Sequence, residues 1–194
     1  MNAVGIIFSS INEKSVYELT KERTMASVPF GCRYRLIDFT LSNMVNSGIS
    51  HVGIVTHYNY QSLMDHIGSG KDWDLARRSG GIMILPPFVT AYENPRANQL
   101  YTTRLEALMG VREYITHCDE DVIVLSDCDT ICNIDLSKVL ARHEETGADI
   151  TEILEGASVA GIIGGIIAAA GSAITYINAE AKVDAAREAG GGNA

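Results

Sequence analysis

Four apolar runs recur along the first two-thirds of this sequence: Ala3 to Phe8, "HVGIVTHY", "GIMILPP" and "DVIVLSDCD". Helical patterns separate them. Runs that are apolar on every residue suit strands buried on both faces, and strands alternating with helices imply a parallel sheet covered on both sides. That single feature restricts the chain to an α/β fold. In "YRLIDFTLSNMVNSG" the residues Ile37, Leu41, Met44 and Val45 share one helical face, and Gly48 supplies a stop. "QSLMDHIGSG" is a short helix ending in glycines. "TRLEALMGVREYITH" places Leu105, Leu108 and Val111 in helical register. "DLSKVLARHEETG" is a helix capped by Asp135 and stopped by Gly147, and "ADIT" opens another strand. Pro86 and Pro87 close the third run, because proline cannot continue a ladder.

In such sheets ligands bind beyond the carboxyl ends of the strands. Two segments lie there. "LSDCDTICNID" offers Asp127, Asp129 and Asp135, hard oxygen ligands of the kind that hold Mg²⁺ against nucleotide phosphates. The stretch after Phe8 is where many α/β proteins carry a glycine-rich phosphate loop, yet no glycine occurs between Ile6 and Thr20.

The chain is long enough, at 194 residues, for one sizeable core. Its net charge of -9 argues against nucleic acid or an anionic membrane as the main partner. Cys32, Cys118, Cys128 and Cys132 show no zinc-ribbon or C-x-x-C spacing, so reduced structural thiols are expected. His51, His57, His66, His117 and His143 show no ligand spacing either, which leaves them surface or capping roles. The opening "MNAVGIIFSSINEK" lacks a basic n-region, so a cytoplasmic location is expected.

After about Thr151 the composition changes. Gly156 to Ile177 carries no charge, and an Ala- and Gly-rich stretch follows. The run is long enough for a bilayer, and Gly161 and Gly165 form a G-x-x-x-G. An apolar helix over about 157–177 is expected, with membrane contact as one possibility and burial in a soluble core as the other. The chain divides into 1–151 and a tail, 152–194.

Four segments together, "ERTMASVPFGCRYRLIDFTLSNMVNSGI", "THYNYQSLMDHIGSGKDWDL", "LSDCDTICNIDL" and "HEETGADIT", resemble the nucleotidyltransferase domain of the ADP-glucose pyrophosphorylase (glucose-1-phosphate adenylyltransferase) family. The features lie nearest its regulatory, GlgD-type branch. The resemblance covers roughly Met1 to Thr151. It implies a Rossmann-like, GT-A-like α/β domain, truncated here and followed by an unmatched tail. Active members join ATP and glucose 1-phosphate to give ADP-glucose and diphosphate, for glycogen or starch.

Matched to the family's start motif, the glycine-rich loop falls on Ser9, Ser10, Ile11, Asn12, Glu13, Lys14 and Ser15. All three family glycines and the arginine are replaced, and the family's later Lys and Pro fall on Met25 and Ala26. Backbone N–H groups approach a triphosphate closely only where side chains are minimal. Each lost charge-stabilising group commonly costs around 3 kcal/mol of transition-state stabilisation. A second nucleotide-facing motif becomes Thr103, Arg104, Leu105 and Glu106. Asp129 matches the family's metal-binding Asp, with Cys128 where a glycine usually precedes it and Asp135 at the later Asp. The resemblance therefore leaves Mg²⁺ a candidate at Asp129, counts against ATP binding, and implies a catalytically impaired subunit whose partner is a catalytic glucose-1-phosphate adenylyltransferase subunit. Two alternatives stand beside it: an active Mg²⁺-dependent nucleotidyltransferase, and a truncated or membrane-tethered product without activity. Arg33 and Arg35 are candidates for an anionic effector or a neighbouring subunit, and "KDWDLARR" reads as a solvated loop.

Overall fold

The structure, a computed structural model, describes residues 1–9, 16–86, 101, 103–153 and 174–178. Six strands form one sheet in the order β5-β4-β1-β6-β8-β7. They are β1 (Ala3–Phe8), β4 (His51–Val55), β5 (Gly81–Leu85), β6 (Val122–Asp127), β7 (Ile150–Ile153) and β8 (Ile174–Asn178). After a short helix α1 (Tyr17–Thr20), a separate two-stranded ribbon pairs β2 (Pro29–Phe30) with β3 (Tyr34–Arg35).

The expected parallel arrangement holds where the apolar runs lie. β1 pairs in parallel with β4 on one side and β6 on the other, and β4 pairs in parallel with β5. Side chains alternate between the two faces. Ile7, Val52, Ile54, Val122 and Val124 enter one buried cluster with α2 (Leu36–Asn46), α3 (Gln61–Ile67) and α6 (Leu136–Thr146). Val4, Ile6, Phe8, Val55, Ile123 and Leu125 enter another with α4 (Arg104–Gly110) and α5 (Arg112–Thr116). Helices on both faces explain why the strands are apolar throughout.

Three expectations need correction. The tail was expected to be helical over about 157–177; residues 154–173 lie outside the described residues, and Ile174–Asn178 is a strand. A charge-free stretch of β-branched and aromatic residues, "ITYI", satisfies a ladder as readily as a helix. β8 runs antiparallel to both β6 and β7, so the sheet is mixed and extends across the expected boundary after Thr151. Second, the register through Leu105, Leu108 and Val111 gives the buried face only in part: Val111 is buried and Leu108 packs against the core, but Leu105 does not. Leu105 is 70% exposed, while Ala107, Val111 and Ile115 pack into the core. Ala107, Val111 and Ile115 recur every four residues and share the row that meets the sheet. The helix also breaks between α4 and α5, next to Gly110, the weakest helix former there. Third, His143 is not at the surface: it is 2% exposed on α6 and its Nδ1 lies 2.8 Å from Thr151 Oγ1.

None of the four cysteines is in a disulfide. Among the described residues no helix is long and apolar enough to cross a membrane, and the G-x-x-x-G at Gly161 and Gly165 lies outside them.

Candidate functional site

The chain leaves β1 at the centre of the sheet, builds β4 and β5 to one side, and returns on the other as β6. Connections therefore diverge beyond the carboxyl ends of β1 and β6, the crevice where ligands bind in such sheets. Phe8 and Asp127 are register partners at that end.

The rest of the expected phosphate-loop set, Ser10 to Ser15, lies outside the described residues; its root, Ser9, is described. Ser9 is fully buried. Its N–H donates to Val55 O at 2.9 Å, and its carbonyl accepts from Ala26 N–H at 3.1 Å and from the Cys128 thiol at 3.3 Å. Burial, aided by the neighbouring Asp129 and Asp127 charges, holds the Cys128 thiol well above its ordinary pKa. Cys128 thus acts as a neutral donor to the loop root where the family has a glycine. Ser9 Oγ and Thr130 Oγ1 are buried without a hydrogen-bond partner among the described residues. Met25 and Ala26 sit in a short 3₁₀ turn, Met25–Ser27, with Ala26 fully buried in the core. No cation comes from those two positions.

The strand-end carboxylates separate into three fates. Asp127 is buried, and Arg104 grips it with two parallel bonds: Nε donates to Oδ1 at 2.9 Å, and Nη2 donates to Oδ2. The hydrogen bond to Asp127 is also the largest influence raising the pKa of Arg104, and the Asp129 charge adds to it. Asp129 itself is exposed. Asp135 is taken up by local structure. It N-caps α6, accepting from Ser137 N–H at 3.2 Å and lying 3.2 Å from Lys138 Nζ.

Arg104 is delivered by local sequence. Thr103 and Glu106 form a reciprocal capping box: Thr103 Oγ1 accepts from Glu106 N–H at 3.2 Å, and Glu106 Oε2 accepts from Thr103 N–H at 3.3 Å. This starts α4 at Arg104 and turns the guanidinium back toward β6. The T-x-x-E pattern is visible in "TTRLEA", but its consequence for Asp127 is a contact through space, with no sequence signal. Tyr101 is a second residue that motif spacing leaves unassigned. Its hydroxyl donates to Thr56 O at the end of β4, and burial raises its pKa, keeping it a neutral donor.

The opposite wall is α2. Thr40 Oγ1 donates to Asp127 O at 3.3 Å, Asn43 Nδ2 donates to Cys132 O at 2.9 Å, and Ser47 Oγ accepts from Leu136 N–H at 2.8 Å. α2 thereby fixes the connection from β6 to α6. Arg35 Nη1 donates to Ser62 O at 2.6 Å and to Ser62 Oγ at 2.7 Å. His66 Nε2 lies 2.6 Å from Asp38 Oδ1, so the second expected surface histidine is an interhelical partner. Arg33 lies in the exposed turn between β2 and β3.

The described residues fit Mg²⁺ poorly. A guanidinium already satisfies both oxygens of the buried carboxylate, and it lies in the field of the remaining one. Mg²⁺ sites in nucleotide enzymes use one or two carboxylates together with substrate phosphates. Here one exposed carboxylate remains, beside a fixed positive charge.

Residues 5–160 match the nucleotidyl transferase family. The glycogen biosynthesis protein GlgD of Bacillus subtilis is 38% identical over 158 residues, covering 78% of this chain and 43% of that protein. GlgD of Geobacillus stearothermophilus is 40% identical over 150 residues, with 77% and 43% covered. A glucose-1-phosphate adenylyltransferase of Halalkalibacterium halodurans is 36% identical over 148 residues, with 76% and 38% covered. The chain thus spans less than half the length of these curated relatives. Among solved structures, a Bacillus anthracis protein assigned as a glucose-1-phosphate thymidylyltransferase, in complex with sucrose, superposes with a TM-score of 0.58 at 15% identity. That match covers 76% of this chain and 52% of the other, and bears on the fold alone.

Proposed function

Because this chain belongs to the nucleotidyl transferase family, with GlgD and glucose-1-phosphate adenylyltransferase among its relatives, we propose that it serves glycogen synthesis as a non-catalytic, regulatory-type subunit. The observation that carries the reading is the Arg104 grip on Asp127. A protein side chain supplies positive charge at the strand end where a nucleotidyltransferase gathers metal and phosphate. The substituted loop from Ser9 to Ser15 supports the same reading, since it lacks the glycines and the arginine that a triphosphate cradle requires.

Under this reading the chain works in the cytoplasm with a catalytic glucose-1-phosphate adenylyltransferase subunit. It makes no ADP-glucose and does not hold Mg²⁺–ATP productively. Its effect is a coupling free energy: by binding one state of the partner better than another, it changes that partner's affinity for substrates.

The test is ADP-glucose formation by the purified chain alone, by a catalytic subunit from the same source alone, and by the two mixed. The expected result is no product from the chain alone and a changed KM or turnover on mixing. Turnover by the chain alone near that of the catalytic subunit, abolished in Asp129→Ala, would establish the active Mg²⁺-dependent alternative instead. No association and no kinetic effect on mixing would sink the regulatory reading.

A further inference from the structure

The amino-terminal end of the sheet, opposite the crevice, brings together three side chains from two segments far apart in the sequence. His51 opens β4, and Cys118 and Glu120 lie in the connection between α5 and β6. His51 Nδ1, Cys118 Sγ and a Glu120 carboxylate oxygen all lie within 4.8 Å of one another. All three residues are half-buried. We propose that His51, Cys118 and Glu120 form a zinc site, with a fourth position open to solvent.

The donor set selects the metal. Imidazole nitrogen and thiolate sulfur favour zinc over magnesium or calcium, which take oxygen. A tetrahedral zinc with bonds of about 2.0 Å to nitrogen and 2.3 Å to sulfur sets its ligand atoms roughly 3.5 Å apart. The three atoms are within side-chain adjustment of that spacing. Glu120 is primed for a second interaction. Its Oε1 is 2.8 Å from His51 Nδ1, while Oε2 is buried with no hydrogen-bond partner among the described residues. A cation between imidazole and carboxylate would satisfy both.

The surroundings suit a bound cation. Asp119 and Asp121 flank Glu120 in sequence, adding negative charge. A cleft of about 360 Å³, lined in part by His51, Asp119 and Glu120, provides a path from solvent. Tyr114 packs edge-on against His51, with ring centroids 5.5 Å apart, and its hydroxyl is buried without a partner among the described residues. Such a hydroxyl can donate to a ligand carboxylate, as outer partners of metal sites do.

Binding balances simply. The Cys118 thiol now donates to Tyr114 O at 3.2 Å. On coordination the sulfur gives up its proton to solvent and the His51 Nδ1 proton, now shared with Glu120, moves through solvent to Nε2, so the zinc–sulfur and zinc–nitrogen bonds replace an S–H and an Nδ1–H bond. No electron is transferred. The site is independent of the regulatory reading, because it lies at the other end of the sheet.

The experiment uses the full chain, stripped with chelator, then titrated with Zn²⁺ and separately with Co²⁺. The expected result is one zinc per chain after dialysis, a higher Tm with zinc, release of one proton, and a thiolate-to-cobalt charge-transfer absorption. Cys118→Ser should abolish the absorption, and His51→Gln and Glu120→Gln should each weaken zinc binding at least tenfold. Cys32→Ser, at an exposed turn, should change none of these readouts. Less than stoichiometric zinc in the unaltered chain would overturn the proposal. So would a charge-transfer band that survives Cys118→Ser or disappears in Cys32→Ser. If Cys118→Ser does not fold, unchanged zinc affinity in both His51→Gln and Glu120→Gln overturns it equally.

Discussion

Arg104 and Asp127 differ sharply in exposure: the arginine side chain is 48% exposed and the carboxylate 10%. That asymmetry decides which partner matters more for stability. Removing the arginine leaves a buried carboxylate without its cation, while removing the carboxylate leaves a guanidinium that water can reach. Arg104→Ala is therefore expected to destabilise the fold by about 1–3 kcal/mol, discounted from a fully buried pair because Arg104 is half in solvent. Asp127→Asn should cost less, since its amide still accepts one bond from Arg104. Urea denaturation of the two single variants and the double variant measures the coupling directly. Equal costs for the two singles, with no coupling, would mean that the pair contributes nothing in solution. The pair was not legible in the sequence. Asp127 stood out as a strand-end carboxylate and Arg104 as a bulky replacement, but nothing in their spacing joins residues brought together by the α4 turn.

At the scale of elements, α6 is the case where local chemistry and the final structure agree. Asp135 caps it, and Gly147 ends it in the left-handed region with φ of 59°. Both signals act within one turn of the chain, and the packing of α6 agrees with them. Hydrogen bonds from Ser137 and Lys138 lower the Asp135 pKa. A carboxylate depressed in the folded state contributes stability that is complete above its unfolded pKa, about 3.9, and disappears as pH falls through the folded value. Asp135→Asn keeps a capping oxygen and removes the charge. Its Tm should therefore lie below that of the unaltered chain at pH 7, and the gap should close as the pH falls below about 4. A gap that persists at pH 2 would show that the charge is not the cause. The α4–α5 break and the exposure of Leu105 were less legible, because they depend on which helical row meets the sheet. The cluster of His51, Cys118 and Glu120 was not legible at all. Its members come from two separate segments that meet only once β4 and β6 flank β1.

The whole molecule depends on what lies beside β6. The parallel pairing with β1 secures one edge of that strand, and β8 secures the other. β8 also carries β7, which has no other strand neighbour among the described residues. Without β8 the strand bearing Asp127 would present an open edge to solvent, with apolar residues on both faces: a template for pairing with other chains. A proline in β8 separates this arrangement from one in which β6 is the natural edge. Tyr176 stands opposite Val124 on one side and Thr151 on the other. Proline there removes a ladder donor from a strand flanked on both sides, a position that proline does not occupy in stable sheets. Tyr176→Pro is expected to lower the Tm and to speed hydrogen exchange at the amides of β6 facing β8, while β4 and β5 exchange as before until global unfolding. Self-association should rise with it, measurable by light scattering. Unchanged exchange along Val122–Asp127 would place β8 outside the sheet, and would leave the far side of the crevice without the support that this topology gives it.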